Sequence, residues 1–382
     1  MMAANWTAVR RRLAIRRAAH RPPFGGWQLG HSSIVAPLAA TIAASVAVGV
    51  GIAFAQAERT RRSAKRQRKR ERRFTQLPGE PLPQALRRIA LGQLDLAIES
   101  LGGDQRAEGS GGAGVPDAKA IHETRKALKR LRALVGLLRE DLGERQYRRE
   151  HKILRDAARR LAGARDAEVM VGTLDALLER HPRKLGRSRS LIELRKLLVT
   201  ERGAAARGAL GDQDTRGEVM CELSGLRERA QRWDLPERPG IAVVESDLER
   251  LYRQGRERMR RVVRGKGGAR AAHEWRKRVK DLRYAAEILG LHPIARRADR
   301  LGEILGKEHD LVVLAGLLPP AGRAPFKGKR GKRARKALLK RIARRRRHLR
   351  RRALREGERL YGHRPKKFLR RVRSAHRRTS RI

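Results

Sequence analysis

HETRKALKRLR at residues 122–132 and HEWRKRVKDLR at residues 273–283 are two copies of one pattern. Seven of their eleven positions are identical, at the same offsets from the leading histidine. Agreement at that level is not expected by chance, even in a chain so rich in Arg and Lys. The two copies therefore predict an internal duplication, in which each half of the protein contains the same element.

A second repeated block follows each first one. LAGARDAEVM at residues 161–170 aligns with LGKEHDLVVL at residues 305–314, and the alignment pairs Asp166 with Asp310. A basic segment, an intervening segment and an Asp-containing segment thus occur in the same order twice, about 150 residues apart. This order predicts an all-α protein, a duplicated helical bundle with pseudo-two-fold symmetry.

The rest of the sequence also predicts helices, because no stretch of four or more residues alternates at period two. The predicted helices cover residues 81–101, 117–140, 145–162, 166–180, 187–208, 216–232, 241–264, 270–290, 294–305, 308–318 and 331–361. In the last of them Leu338, Ile342 and Leu349 belong to one apolar stripe, which indicates a packed helix with a basic outer face. The residues after Tyr361 lack such a stripe and are predicted to form a solvated arm.

Each copy of the first motif, placed on a helix at about 100° per residue, gathers its histidine and basic residues on one face. The basic faces comprise His122, Arg125, Lys126, Lys129 and Arg132 in the first copy and His273, Arg276, Lys277, Lys280 and Arg283 in the second. The opposite faces are apolar and comprise Leu128, Leu131, Val135 and Leu138 in the first copy and Val279, Leu282, Ala286 and Leu289 in the second.

Such a face is costly unless an anion binds it. Like charges three and four residues apart on a helix repel, at roughly a few tenths of a kcal/mol per pair. A bound chain of phosphates would remove that cost, since Arg and Lys both bind phosphate oxygens. A solvated helix face is the alternative, and a single histidine is more often buried or capping than a ligand. Asp166 and Asp310 are predicted to be structural, pairing with an Arg or capping a helix.

The composition indicates a polyanionic partner and limits the other classes. The formal net charge is +54 over 382 residues, and 3% of the residues are aromatic. So few aromatic residues disfavour an all-β fold or a surface on which bases stack. The single cysteine, Cys221, excludes an internal disulfide and a multi-cysteine metal site. No cofactor or metal is predicted.

The charge is concentrated at the two ends of the chain. Residues 1–73 hold 16 basic and 2 acidic side chains, and residues 323–382 hold 28 and 2. Residues 74–322 hold 50 basic and 36 acidic side chains, so their charge balance is nearly ordinary. The basic ends favour a second function class, a protein that binds nucleic acid without sequence specificity.

Residues 34–57 contain no charged side chain and are long enough to span a bilayer. Three interpretations stay open: a membrane-anchoring helix, a secretory signal, or an upstream extension of the reading frame without a function. As an anchor, the segment would place the bulk of the protein in the cytoplasm, because the basic cluster at residues 59–73 follows it.

The motif H-E-x-R-K-x-x-K-x-L-R, followed by a helix with Arg-Asp or His-Asp, resembles the CHAD family, the conserved histidine α-helical domain. The resemblance extends from Phe74 to about residue 375. It implies two helical bundles around a central basic groove or pore that binds inorganic polyphosphate, and recruitment to polyphosphate granules in bacteria and archaea. It also implies that the two basic faces are the polyphosphate ligands. Asp281 occupies the position of Arg130, so one flank of the second face departs from the first.

Enzyme motifs are not found in the sequence. CHAD domains often accompany a triphosphate-tunnel domain with an E-x-E-x-K metal site, and that motif does not occur here. Nucleotide-binding P-loop, H-E-x-x-H and G-x-S-x-G motifs do not occur either. We therefore expect a non-enzymatic protein of the cytoplasm, associated with polyphosphate granules or tethered to the inner face of the membrane. The sequence does not indicate an oligomeric state.

These observations divide the chain into five parts. The predicted parts are a basic N-terminal extension (1–33), the hydrophobic segment (34–57), a polybasic linker (58–73), the CHAD domain (74–375, with repeats at about 74–235 and 236–375) and a basic tail (376–382).

Overall fold

A computed structural model describes residues 74–102, 118–161, 164–211 and 213–379. The predicted extension, hydrophobic segment and polybasic linker at residues 1–73 lie outside the described residues, as does most of the Gly-rich stretch between residues 102 and 115. Among the described residues, no helix is both long and apolar enough to cross a bilayer.

All of the regular secondary structure in the described ranges is helical. The α-helices in these ranges are α1 (Leu82–Gly102), α2 (Ala118–Leu137), α3 (Arg139–Arg160), α4 (Ala164–Arg180), α5 (Arg189–Gly211), α6 (Gln213–Gln231), α7 (Glu245–Val263), α8 (Gly268–Ile288), α9 (His292–Leu317), α10 (Gly328–Tyr361) and α11 (Pro365–Thr379). A π-helical turn (Pro182–Gly186) precedes α5, and a 3₁₀ turn (Gly240–Val243) precedes α7. The all-α prediction is confirmed.

The apolar faces of the two motif helices are the centre of the core. The residues predicted for the back of α2 (Leu128, Leu131, Val135 and Leu138) and of α8 (Val279, Leu282, Ala286 and Leu289) are all buried. On α2 this face packs mainly against α1 and α3, and α8 packs mainly against α7 and α9. The burial follows from the 3.6-residue helical period, since every third or fourth residue is apolar.

Helix α10 confirms the predicted packed helix with a basic outer face. Leu338, Ile342, Leu349, Ala353 and Leu360 are all buried, whereas most of its arginines are partly or fully exposed. The helix lies along α9 and also contacts α7. A single side of the helix thus supplies the contacts that hold this highly charged segment in place.

The prediction of a solvated arm after Tyr361 is wrong. Residues of that segment form α11, which packs against α7 and buries Phe368, Leu369 and Val372. His376, in the predicted basic tail, is 4% exposed. The apolar residues of α11 recur at helical spacing, but a window of 15 residues with so many Lys and Arg hides the pattern. Residues 380–382 lie outside the described ranges.

Helix α9 is continuous where the sequence predicts two helices, 294–305 and 308–318. Gly306, which weakens the local helix propensity, is buried within the helix. Tertiary packing outweighs that propensity, because Leu301 and Leu305 before this glycine and Leu311 and Leu314 after it are all buried. A Cβ atom added to Gly306 would be 3.6 Å from the Arg276 Nε atom.

Candidate polyanion-binding site

The four helices that carry the repeated blocks contact one another in cyclic order. Helix α2 contacts α8, α8 contacts α9, α9 contacts α4, and α4 contacts α2. Helices α2 and α8 carry the two basic motifs, and α4 and α9 carry Asp166 and Asp310. The fold thus brings together segments that are about 150 residues apart in the sequence. The duplication and its pseudo-two-fold symmetry stay predictions.

Lys280 lies where the basic faces of α2 and α8 meet. Burial, together with the charges of Arg276, Lys129 and Arg283, lowers the pKa of Lys280 to about 7. Asp310 on α9 acts in the opposite direction, but its effect is the smaller one. The charged form of Lys280 is therefore disfavoured both by desolvation and by cations from two different helices. An anion bound at this point would relieve both effects.

Two histidine rings lie in tilted contact beside Arg276 and Lys280. The ring centroids of His273 on α8 and His309 on α9 are 4.2 Å apart, with 36° between the ring planes. Burial, together with His273, Arg276 and Lys280, lowers the pKa of His309 to about 4. Burial and the charges of Lys277 and Arg276 also lower the pKa of His273. Both rings are therefore neutral at pH 7 and can donate one hydrogen bond each.

His309 is a site residue that the sequence reasoning missed. It immediately precedes Asp310 in the second repeated block, at the position that Arg165 has in the first. That alignment was the only signal for it, because a motif on one helix does not show which residue of another helix faces it. Its stacking on His273 makes it part of the same group of side chains.

The structure gives carboxylate partners to part of the second basic face. The Arg283 guanidinium forms ion pairs with Glu287, at 2.8 Å, and with Asp299. The ammonium of Lys277 donates a hydrogen bond of 2.8 Å to Glu274. Arg283 and Lys277 therefore share their charge with carboxylates, and their role as polyphosphate ligands stays a prediction.

On the first face, His122, Arg125, Lys126 and Lys129 are all partly buried along α2. Arg132 lies further along the helix, at the flank of the contact between α2 and α8. Burial lowers its pKa, and Asp281 counteracts this effect. Asp281 also forms an ion pair of 3.1 Å with Arg278.

A carboxylate therefore lies beside Arg132, at the position where the second copy departs from the first. The side chain of Asp166 lies outside the described part of the structure, and its structural role stays a prediction. Asp310 faces Lys280, as the effect on the pKa of that lysine shows.

The site is made of cationic and neutral nitrogen donors, which bind phosphate oxygens. Within the described residues, no group of three or more His, Cys, Asp or Glu side chains could hold a metal ion. Lys129 and Arg276 both act on Lys280, and His273, Arg276 and Lys280 act on His309, so these five side chains form one electrostatically linked group. We call these five residues the central cationic group.

Comparisons with known proteins agree with this architecture. The solved crystal structure of the CHAD domain from the plant Ricinus communis matches this chain with a TM-score of 0.50 and 22% sequence identity. The match covers 74% of this chain and 93% of that one, and at this identity it shows the fold alone. No curated protein matches the chain. The family model of the CHAD domain matches residues 105–319, which is more than half of the sequence. The protein therefore belongs to the CHAD domain family.

Proposed function

We propose that this protein binds inorganic polyphosphate, without chemical change of the polymer, through the basic faces of α2 and α8. The CHAD family is associated with polyphosphate binding. The observation that carries the proposal is the meeting of cations from two helices around Lys280, beside the contacting rings of His273 and His309. Isolated helices would not place these groups together.

The arrangement suits a polymer better than a single phosphate ion. The motif residues on each helix extend over eleven positions, or about 15 Å along the helix axis. Several phosphate units can occupy that length at once. Lys and Arg would bind the charged oxygens, and the neutral histidines would each donate one hydrogen bond.

The proposed ligands are Lys, Arg and His side chains, which hold phosphate oxygens by charge and hydrogen bonds. The role that we propose for them is therefore binding and not hydrolysis. Binding of this kind would bring the protein to polyphosphate granules in the cytoplasm. A membrane tether through residues 34–57 stays a prediction from the sequence.

Competition between long-chain polyphosphate and duplex DNA at near-physiological salt tests this proposal. The full chain is loaded with labelled polyphosphate, and displacement is followed at equal concentrations of phosphate. We expect DNA to displace little of the label, because a flexible single chain can follow the contact between α2 and α8, whereas a rigid duplex cannot. If DNA displaced the label as well as polyphosphate does at equal phosphate concentration, the proposal would be contradicted. The protein would then bind any polyanion through its surface charge.

A second observation favours nucleic-acid binding as a secondary function, on the outer face of α10. The end of α4 and the π-helical turn bring Arg180, His181 and Lys184 toward the arginines of α10. Burial and the charges of Arg341, Arg180 and Lys184 lower the pKa of His181. Burial and Arg180 also lower the pKa of Arg345.

Exposed arginines on this face, Arg344, Arg347, Arg351 and Arg355, are suitable for a test, since their replacement leaves the buried stripe of α10 intact. Their replacement by Ala should weaken DNA binding and reduce its salt dependence, while polyphosphate binding in the central groove is retained. Deleting residues 362–382 would be a poorer test, because the deletion removes the buried side chains of α11.

Polyphosphate affinity should rise by about tenfold as the pH falls from 8 to 6. In the free protein the pKa of Lys280 is about 7, so its ammonium loses its proton above that pH. Bound phosphate favours the charged form, and binding above pH 7 therefore takes up a proton. Below pH 6 the histidines should continue the trend, because their lowered pKa leaves both rings neutral in the free protein.

Calorimetric titration at several pH values measures this dependence, and the Lys280→Arg variant is the control. Arg stays protonated throughout the range, so the variant should lose most of the change between pH 8 and 6. An affinity of the unaltered protein that stays constant or falls over this interval would show that Lys280 does not contact the polymer.

A further inference from the structure

A cavity of about 840 Å³ lies between the start of α9 and the last two helices. Its volume is within the range typical of small-molecule sites. The residues that line it belong to two stretches of the chain, 290–297 and 359–375. None of the residues of the central cationic group is among them.

One wall of the cavity is cationic. The imidazole of His363 lies among Arg371, Lys367 and Arg297. Burial has the largest effect on the pKa of His363, and the charges of these three residues lower it further. An Arg371 Nη1 atom is 2.5 Å from the His363 Nε2 atom, so the neutral imidazole accepts its hydrogen bond. The lining contains no Asp or Glu among the described residues. The cations of this wall come from α9 and α11, and the fold holds them near one another despite their mutual repulsion.

A second part of the cavity wall is apolar. Leu291, Ile294, Leu360 and Phe368 contribute to it, and three of these four are buried in the core. A polyphosphate chain would gain nothing from such a wall, because it has no apolar part. The combination fits a ligand with an apolar group joined to phosphates.

Hydrogen bonds and ring contacts hold the cavity in shape without a ligand. The ring of Phe368 stacks on that of Tyr252, with 3.9 Å between centroids and 10° between planes. The Tyr252 hydroxyl oxygen is 3.1 Å from the carbonyl oxygen of His363 and 3.3 Å from that of Leu360, and its one proton is shared between these two acceptors. The turn between α10 and α11 is thereby fixed to α7, so binding would not have to order it.

We propose that this cavity binds a nucleotide, with the phosphates at Arg297, Lys367 and Arg371 and the base against the apolar wall formed with Phe368. A nucleotide has phosphates and a base in one molecule of suitable size. Inorganic phosphates lack the base, and nucleosides lack the phosphates. The site shares no residue with the basic faces of α2 and α8 and does not depend on the function proposed for them.

Calorimetric titration of the full chain with ATP, tripolyphosphate and adenosine tests the proposal. We expect ATP to bind at least tenfold more tightly than either of the other two, because only ATP contacts both walls. The triple variant Arg297→Ala, Lys367→Ala and Arg371→Ala should bind ATP at least tenfold more weakly and keep its affinity for long-chain polyphosphate. A variant with Arg296→Ala, Arg300→Ala and Lys366→Ala, all exposed on α9 or α11 and outside the lining, removes the same number of charges, is the matched control and should keep both affinities.

Photolabelling of the unaltered protein provides a second test that does not depend on how the variants fold. A photoreactive ATP analogue should label peptides within residues 290–297 and 359–375. Tripolyphosphate binding as tight as that of ATP, an unchanged ATP affinity in the triple variant, or labelling of the motif helices α2 and α8 would each overturn the proposal. If polyphosphate fails to bind while ATP labels the cavity, the function proposed for the groove fails and this one stands.

Discussion

Replacing Arg125, Lys129, Arg276 and Lys280 by Ala should weaken polyphosphate binding by about a thousandfold. Net contributions of about 1 kcal/mol for each of four contacts to phosphate add to about 4 kcal/mol, or nearly three factors of ten. The slope of log affinity against log salt should also become shallower, by about 0.7 for each lost contact with a single-stranded polymer. Titration calorimetry at three salt concentrations measures both quantities.

The matched control also removes two Lys and two Arg side chains, but from exposed positions outside the motifs. Lys152, Lys196, Arg253 and Arg260 are exposed and lie outside the two motifs. Their replacement by Ala should change the affinity by threefold at most, because each charge acts only through the general field of the protein. If the two variants lose the same affinity, net charge and not the meeting of α2 and α8 determines binding.

Replacing Glu308 by Gln should lower the free energy of unfolding by about 2–3 kcal/mol. The side chain of Glu308 is buried, and one of its oxygens accepts hydrogen bonds of 3.0 Å from both Arg346 and Arg350. These are the ion pairs that join α9 to the basic helix α10. A neutral amide keeps the shape of the side chain but leaves two partly buried guanidinium groups without a compensating charge.

Thermal unfolding measured by circular dichroism tests this prediction. Glu303 is an exposed carboxylate on the same helix, and Glu303→Gln should leave the transition temperature unchanged. A Glu308→Gln variant as stable as the Glu303→Gln variant would show that apolar contacts alone hold α10 on α9.

Much of the fold could be predicted because helical periodicity is a local property. The back faces of α2 and α8 and the stripe of α10 followed directly from spacing, and all of these residues are buried. The continuity of α9 through Gly306 could not be predicted, because it depends on packing of both halves of the helix against other helices. Helix α11 was missed because its few apolar residues are scattered among many cations.

The same limit applies to the candidate site, of which only the residues that share a helix could be predicted together. The repeated motifs indicated Lys129 and Lys280 as members of basic faces, but they could not show that the two residues act on each other across a helix contact. The stack of His309 on His273 and the ion pairs of Arg283 also depend on neighbouring helices. Residues that share a helix can thus be grouped from sequence, whereas their partners on other helices cannot.

A crystal structure of the chain grown with long-chain polyphosphate tests the central claim most directly. The account predicts phosphate density between α2 and α8, with phosphate oxygens within hydrogen-bond distance of Lys129, Arg276 and Lys280. Density that follows the outer face of α10 and leaves this group without phosphate would contradict it.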